Sequence, residues 1–360
     1  MNFHQLSLEE FISWCKDHGE KPFRAKQVWD WIYRKGCTDW TLMTNLSKDF
    51  QNVLNENFQL KSLRLEGKEE SKTQETVKFL WKLEDGKLVE SVLILAPGRK
   101  TVCVSSQVGC PARCAFCASG REGLIRNLTA VEIFEQIYQI QLEIQEKVSH
   151  IVFMGMGEPL ENYDEVVQSL RMICDENRLN FSERKITVST VGVIEGIEKL
   201  AQEKIKVNLV LSLHAPNQHI RKKIIPYARK YELSAVLTAM RDYSALTKRD
   251  ITYEYTLIAG INDAEEHAVE LAQLVREDSC TVNLIPYNPI EGLNLQRPEK
   301  EQIELFRSVL ESAGVVTTWR YTKGKDIAAA CGQLALKKNT ETSLKILPTL
   351  QEVGACGSSS

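Results

Sequence analysis

The sequence lacks any apolar run approaching the roughly 20 residues that a transmembrane helix needs. It also starts without the apolar segment of a secretory signal, so its 10 cysteines do not indicate a secreted disulfide scaffold. These absences predict a soluble protein of the reducing cytoplasm with no membrane partner. An excess of positive charge is missing as well, since the net charge is −3, and any contact with nucleic acid is therefore expected to be local.

A second Cys-x2-Cys pair is also missing, although structural zinc sites normally close with two separated pairs of ligands. What is present is a compact trio formed by Cys110, Cys114 and Cys117. Protein-held iron-sulfur clusters usually take four thiolates, so a trio would leave one iron of a cubane open to another molecule. Zinc binding and packing on one helix face remain alternatives, while Gly109 and Pro111 favour a loop over a helix.

The first part of the chain reads as short helices with polar breaks. The predicted helices are Leu8 to Asp17, Ala25 to Tyr33 and Ser47 to Asn57. Residues 61–75 are charge-rich and predict an exposed connection or edge strand. The run from Lys21 to Lys35 mixes cations with aromatic rings, which suits unpaired nucleic acid. Trp29, Ile32 and Tyr33 also have the spacing of a helical core, so packing is an equal alternative for these rings.

From about residue 90, apolar β-branched runs alternate with helix-like stretches. The predicted strands are Ser91 to Ala96, His150 to Met154, Lys185 to Ser189, Lys206 to Leu213, Ile251 to Ile258 and Thr281 to Ile285. This alternation predicts an α/β fold in which crossover helices connect parallel strands. About six strand–helix units, rather than eight, favour a partial barrel with its chemistry at the C-terminal ends of the strands.

Polar residues follow several of these predicted strands directly. They are Gly157 and Glu158, Ser189 and Thr190, Ser212 and His214, and Tyr287 and Asn288. Each set alone could be a turn, a helix cap or a satisfied polar group. Their common position predicts a single pocket whose donors and acceptors suit an amino-acid and ribose ligand.

The cysteine run and the glycine-rich strand end resemble the radical S-adenosylmethionine (SAM) superfamily, in which the amino-acid part of SAM binds the open iron. Three further segments are similar to the bacterial dual-specificity RNA adenine-C2 methyltransferases, namely Val102 to Cys110, Met154 to Pro159 and Ala329 to Leu334. The likeness covers nearly the whole chain.

The resemblance implies a partial (β/α)6 radical SAM barrel over residues 96–335. A small helical RNA-binding domain of helix-hairpin-helix type would precede it over residues 1–75, followed by a linker with extension strands over 76–95. The C-terminal tail, 336–360, is expected to be disordered.

Roles for individual residues are also implied by the resemblance. Cys110, Cys114 and Cys117 would bind a [4Fe-4S] cluster. Contacts with SAM are implied for Gly157, Glu158, Ser189, Ser212, Leu213, His214 and Asn288. Cys331 would carry a methyl group, Cys103 would be the second catalytic cysteine, and Glu90 the proton acceptor. From the residues alone, Glu90 is instead predicted to face solvent on an alternating strand, and Cys331 to be helix packing.

The implied reaction is methylation of adenine C2 in 23S rRNA and in tRNA, at the adenine 3′ of the anticodon. Because C2 is an electron-poor carbon, it cannot attack the methyl group of SAM as an amine would. The resemblance implies that Cys331 takes this methyl group from one SAM by displacement. A second SAM, cleaved at the reduced cluster, would activate it as a radical, and a transient Cys103–Cys331 disulfide would release the product. A flavodoxin-type electron donor and a monomeric enzyme are also expected.

Two alternative functions remain at this point. The sister enzyme that methylates adenine C8 uses the same two cysteines and cluster, and Pro159 after Glu158 favours C2 only weakly. An alternative from another class is a non-catalytic RNA-binding protein that contains zinc.

Overall fold

The computed structural model describes residues 1–319 and 323–334. The strands are β1 (Arg64–Glu70), β2 (Thr76–Lys82), β3 (Leu88–Ala96), β4 (Arg99–Cys103), β5 (Gln107–Gly109), β6 (Leu124–Asn127), β7 (His150–Phe153), β8 (Ile186–Thr190), β9 (Asn208–Ser212), β10 (Ile251–Leu257), β11 (Cys280–Pro286) and β12 (Val316–Trp319). The helices are α1 (Leu8–Asp17), α2 (Pro22–Tyr33), α3 (Lys48–Asn57), α4 (Ala130–Ile144), α5 (Tyr163–Cys174), α6 (Ile194–Gln202), α7 (Gln218–Ile224), α8 (Leu233–Thr247), α9 (Glu265–Leu274) and α10 (Lys300–Ser312). The predicted tail, with Cys356, lies outside the described residues.

A ten-stranded sheet with the order β1-β2-β3-β4-β7-β8-β9-β10-β11-β12 organises the molecule. Strands β1 to β4 are antiparallel neighbours, whereas β4 and β7 to β12 run parallel. Helices α4 to α10 lie in the connections between consecutive parallel strands. The fold is therefore the predicted partial α/β barrel, and its edge strands β1 and β12 lie at opposite ends of the sheet.

The start and the end of the parallel series differ from the prediction. The run Ser91 to Ala96 belongs to β3, which is antiparallel to both of its neighbours, so the parallel series begins with β4 instead. Strand β12 was missed, since it is short and half exposed. Strand β1 falls inside the segment 1–75 but pairs with β2, so the sheet begins before the predicted domain boundary.

The N-terminal helices lie where the sequence predicts them and pack directly onto the barrel. Trp29 and Ile32 are buried in a core shared with the barrel, as the packing alternative proposed. Glu135 on α4 accepts hydrogen bonds from Asn2 Nδ2 at 2.7 Å and from the backbone N–H of Leu63 at 2.9 Å. A buried carboxylate thus joins the two regions through groups that would otherwise lack a partner.

Within residues 1–319 and 323–334, no helix is both long enough and apolar enough to span a bilayer.

Candidate active site

A cavity opens at the C-terminal ends of the parallel strands. Parallel strands present these ends on one edge of the sheet, so polar residues from distant parts of the chain meet there. The predicted site residues that line the cavity are Cys103, Cys110, Cys114, Cys117, Gly157, Glu158, Ser189, Ser212, His214, Asn288 and Cys331.

Leu213 and Glu90, the other two predicted site residues, are buried beside the cavity rather than on its wall. Glu90 is only 5% exposed and lies on β3, two residues before Val92 of the cavity wall. Its Oε1 atom is 3.6 Å from Lys78 Nζ. Lys78 also donates a hydrogen bond of 2.7 Å to the carbonyl oxygen of Ile327. The interpretation of Glu90 as a solvent-facing residue is therefore wrong.

Cys110 to Cys117, which we name the cysteine loop, follow β5 as a loop and not as a helix. Gly109 introduces the loop with a φ of +76°, and a Cβ atom at this position would overlap the carbonyl oxygen of Gly123. The backbone N–H of Ala115 donates to the carbonyl oxygen of Ile224, the last residue of α7, at 2.8 Å. The positive φ of Gly109 and the backbone hydrogen bond of Ala115 therefore determine the conformation of the loop.

The three thiols of the cysteine loop lie in the cavity wall, and burial raises the pKa of each of them. For Cys110, burial and the charge of Cys117 raise the pKa to about 12. Among residues 1–319 and 323–334, no three His, Cys, Asp or Glu side chains are arranged to hold a single metal ion. A [4Fe-4S] cluster needs a different arrangement, because each thiolate binds a different iron. Three thiols that line one cavity fit such a cluster.

The glycine-rich segment after β7 brings backbone and a carboxylate close to the cysteine loop. Gly157 has a φ of +111°, and a Cβ atom there would lie 2.6 Å from Ser106 Oγ. Glu158 is 2% exposed, and its Oε2 accepts a hydrogen bond of 2.8 Å from the backbone N–H of Val191. Burial is the main cause that raises the pKa of Glu158 to about 7. A cationic ligand bound beside this carboxyl group would favour loss of its proton to solvent near neutral pH.

Glu158 should make the stability of the cluster-free protein depend on pH. Its pKa is about 7 in the folded chain against an ordinary value of 4.5, so the folded state binds this proton more tightly. The free energy of unfolding should therefore fall as the pH rises from about 5 to 8, by up to roughly 3 kcal/mol. Urea unfolding of the wild type and of Glu158→Gln measures this component as their difference. A difference that stays constant over this pH range would contradict the prediction.

Two further strand-end residues, His214 and Asn288, also place polar side chains at the cavity. The Nδ1 atom of His214 accepts a hydrogen bond of 2.9 Å from the backbone N–H of Thr256. Burial, followed by the charge of Arg221, lowers the pKa of His214 to about 3, so its imidazole is neutral. The Oδ1 atom of Asn288 is buried and has no hydrogen-bond partner among the described residues. An unsatisfied amide oxygen in a cavity wall suits a ligand that donates a hydrogen bond.

Cys331 lies on a turn that is tied to the cysteine loop and is itself exposed. The backbone N–H of Ala118 donates to the carbonyl oxygen of Gly332 at 2.7 Å. Asn288 Nδ2 donates to the carbonyl oxygen of Cys331 at 3.1 Å. Cys103 is buried at the end of β4 and lines the same cavity. Residues about 230 positions apart in the chain therefore share one site, which sequence spacing alone could not predict.

Two residues of this region were missed by the sequence analysis. Glu254 on β10 lines the cavity and is 3% exposed, whereas Arg221 on α7 is fully buried and does not line it. The only signal for Glu254 is a carboxylate within an otherwise apolar strand, because burying such a charge is costly without a function or a partner. Arg221 lies in the basic stretch of α7 and gives no signal of burial.

Comparisons with known proteins identify the family of this chain. Family models of the ribosomal RNA large subunit methyltransferase N-terminal domain and of the radical SAM superfamily match residues 1–60 and 104–272. The probable dual-specificity RNA methyltransferase RlmN 2 of Protochlamydia amoebophila is 58% identical over 357 residues, which cover 98% of this chain and 99% of the relative. The chain belongs to the RlmN family of dual-specificity RNA methyltransferases.

Other members and a solved structure agree with this assignment. An RlmN relative from Thermotoga maritima is 43% identical over 338 residues, covering 94% of this chain and 98% of the relative. The crystal structure of a radical SAM methyltransferase from Sphaerobacter thermophilus superposes with a TM-score of 0.89 at 41% identity, covering 93% of this chain and 99% of that one. As an RlmN family member, the chain is a SAM-dependent RNA methyltransferase with a [4Fe-4S] cluster and SAM as cofactors.

Proposed function

We propose that this enzyme methylates C2 of adenine in 23S rRNA and in tRNA, at the adenine 3′ of the anticodon, through a methyl group carried on Cys331. The observation that carries the proposal is the meeting of the cysteine loop, Cys103 and Cys331 around one cavity. Binding of a [4Fe-4S] cluster alone would require only the three cysteines of the cysteine loop. The additional pair of thiols, one exposed and one buried, suits a methyl carrier and a second thiol that releases it.

Each residue has a separate task in this proposal. The cysteine loop holds the cluster, and the strand-end residues predicted to contact SAM bind that molecule. When bound, the cluster and SAM supply the radical chemistry that an electron-poor carbon requires. Cys331 takes the methyl group and meets the adenine, because it is exposed. Glu90 takes the C2 proton, and the Cys103 thiolate then attacks the sulfur of Cys331. This attack forms the disulfide and breaks the carbon–sulfur bond, and the released methylene carbon takes up a proton to give the methylated base.

The experiment that tests this function is anaerobic reconstitution of the full chain with iron and sulfide, followed by reaction with labelled SAM and a short hairpin RNA. We expect 2-methyladenosine together with 5′-deoxyadenosine. A methyl group on C8, located by fragmentation of the nucleoside, would assign the chain to the other regiochemistry. A colourless preparation that contains zinc and does not cleave SAM would overturn the enzymatic proposal.

The target adenine must leave its stack to reach Cys331, which an RNA loop allows at lower cost than a duplex. We assign the binding of this RNA to the outer face of α2. Phe23 is 49% exposed on this face, and Lys35 Nζ lies 3.7 Å from the ring centroid of Trp31. Cations and accessible rings on one surface suit unpaired RNA, and Lys21 and Lys26 on the same helix edge are exposed.

Replacement of Lys21, Arg24 and Lys26 by alanine should weaken binding of a tRNA hairpin by roughly 10-fold and flatten its salt dependence. Cleavage of SAM without RNA should be unchanged, because these residues lie outside the cavity. Filter binding at several salt concentrations measures the affinity for the hairpin and its salt dependence. Formation of 5′-deoxyadenosine measures SAM cleavage. The control is a triple alanine variant of the exposed Lys199, Lys204 and Lys300 on other faces. Equal weakening by both variants would contradict the assignment.

We further propose that the enzyme works as a monomer in the cytoplasm and takes its electron from a flavodoxin-type protein. The supporting argument is chemical, because a cluster of this kind must be reduced by a one-electron donor before it can cleave SAM. Size-exclusion chromatography with light scattering tests the monomer, and SAM cleavage with reduced flavodoxin as sole reductant tests the donor.

A further inference from the structure

Arg221 on α7 is a fully buried cation, with an exposed fraction of 0%. The Nε atom donates to the carbonyl oxygen of Leu213 at 3.2 Å, and Nη2 donates to those of Val191 at 2.6 Å and Ser212 at 3.3 Å. These carbonyl groups belong to the ends of β8 and β9 and the residues that follow them. The guanidinium group is therefore fixed against two strand ends that border the cavity.

The hydrogen bonds of Arg221 do not neutralise its positive charge. Among residues 1–319 and 323–334, the guanidinium donates only to backbone carbonyl oxygens, and its Nη1 atom has no hydrogen-bond partner. Carbonyl oxygens are neutral acceptors. Removing a cation from water is costly unless an anion lies close to it, so a fully buried arginine favours a negative group nearby.

The groups whose charge reaches Arg221 identify the place of this anion. Burial lowers the pKa of Arg221 to about 10, and the charges of Cys114 and Glu158 oppose this effect. The cysteine loop is also attached to the helix that carries Arg221, because Ala115 donates its backbone N–H to the carbonyl oxygen of Ile224. Arg221 is thus within electrostatic reach of the middle cysteine, on the helix to which the cysteine loop is bonded.

We propose that Arg221 is the counter-ion of the [4Fe-4S] cluster bound to the cysteine loop, and that its charge makes reduction of this cluster easier. The inference rests on the proposed function, because it requires the cluster to be held by these cysteines. Three thiolates give an oxidised cubane a net negative charge, and reduction adds one electron from the external donor without breaking any bond. A fixed cation nearby stabilises the more negative state, most strongly in an interior of low dielectric constant. Arg221 is a positioning residue in this sense, since it does not line the cavity.

The test is a redox titration of the anaerobically reconstituted full chain, followed by the electron paramagnetic resonance signal of the reduced cluster. Arg221→Gln keeps an amide donor but removes the charge, and its midpoint potential should be more negative than that of the wild type. Arg221→Lys keeps the charge and should stay close to the wild type. Arg178→Gln is the matched control, because Arg178 is also buried, at 9% exposure, but bonds to the carbonyl oxygens of His4 and Leu6. Its potential should be unchanged.

Several outcomes separate this inference from its rivals. A purely structural role predicts loss of iron from Arg221→Gln and Arg221→Lys alike, with an unchanged potential for the cluster that remains, and would overturn the proposal. If Arg221→Gln does not fold, Arg221→Lys decides the question, since a potential far from that of the wild type would contradict a role of the charge. A wild type that binds no cluster would instead refute the proposed function on which the inference depends.

Discussion

Cys103→Ala should accumulate enzyme that is covalently joined to its RNA, whereas Cys331→Ala should form neither the adduct nor any methylated product. Cys331 lies exposed on its turn, so it is the thiol that can reach both the methyl donor and the adenine. Cys103 is 8% exposed at the end of β4 and can act only after the adduct has formed, by making the disulfide that releases it. Without Cys103 the carbon–sulfur bond has no partner thiol to break it.

Denaturing gel electrophoresis with end-labelled RNA measures the adduct, and mass spectrometry of the digested protein locates it on Cys331. Cys280→Ala is the control variant, because Cys280 begins β11 at the end of the sheet away from the cavity. It should retain wild-type turnover and form no lasting adduct. Release of free methylated RNA by Cys103→Ala would refute the role of Cys103. An adduct in Cys331→Ala would show that another residue carries the methyl group.

The sequence predicted the position of several candidate site residues where local pattern determines structure. The spacing of Cys110, Cys114 and Cys117 with nearby glycine and proline predicted a loop, and the loop forms because Gly109 adopts a positive φ. Residues such as Glu158 and His214 were predicted to meet because parallel strands end on one edge of a sheet. Both arguments use only neighbouring residues and the general rule of strand direction.

Prediction from the residues alone failed where partners are distant in the chain. The run Ser91 to Ala96 has the apolar character of a strand, but that character does not encode direction, so it was predicted to be parallel. Glu90 was predicted to face solvent because alternation implies an exposed face, whereas its carboxylate is buried beside Lys78, which also bonds to the carbonyl oxygen of Ile327. Only the family resemblance indicated a role for these residues.

Gly157→Ala should lower SAM cleavage by roughly 100-fold, equivalent to about 3 kcal/mol, while the iron content stays unchanged. Backbone strain and steric overlap both disfavour alanine at this position. Alanine rarely adopts the φ of +111° that Gly157 requires, and its Cβ atom would lie 2.6 Å from Ser106 Oγ and 2.8 Å from Gln107 N. The segment would have to move away from the cavity wall, and Glu158 would move with it. Formation of 5′-deoxyadenosine and methylation of Cys331, followed by mass spectrometry, measure the loss.

Gly98→Ala separates the steric effect from the backbone effect. Gly98 also has a positive φ, of +66°, but no heavy atom lies within 4 Å of a Cβ built at that position. This control should therefore lose some stability through backbone strain and keep its SAM cleavage. If Gly157→Ala cleaves SAM as fast as Gly98→Ala does, the close approach of backbone at Gly157 is not needed for the bound cofactor. If Gly157→Ala also loses iron, the segment supports the cysteine loop rather than SAM. The predicted combination, full iron with slow cleavage, arises only when the backbone at Gly157 itself forms the wall against which SAM binds.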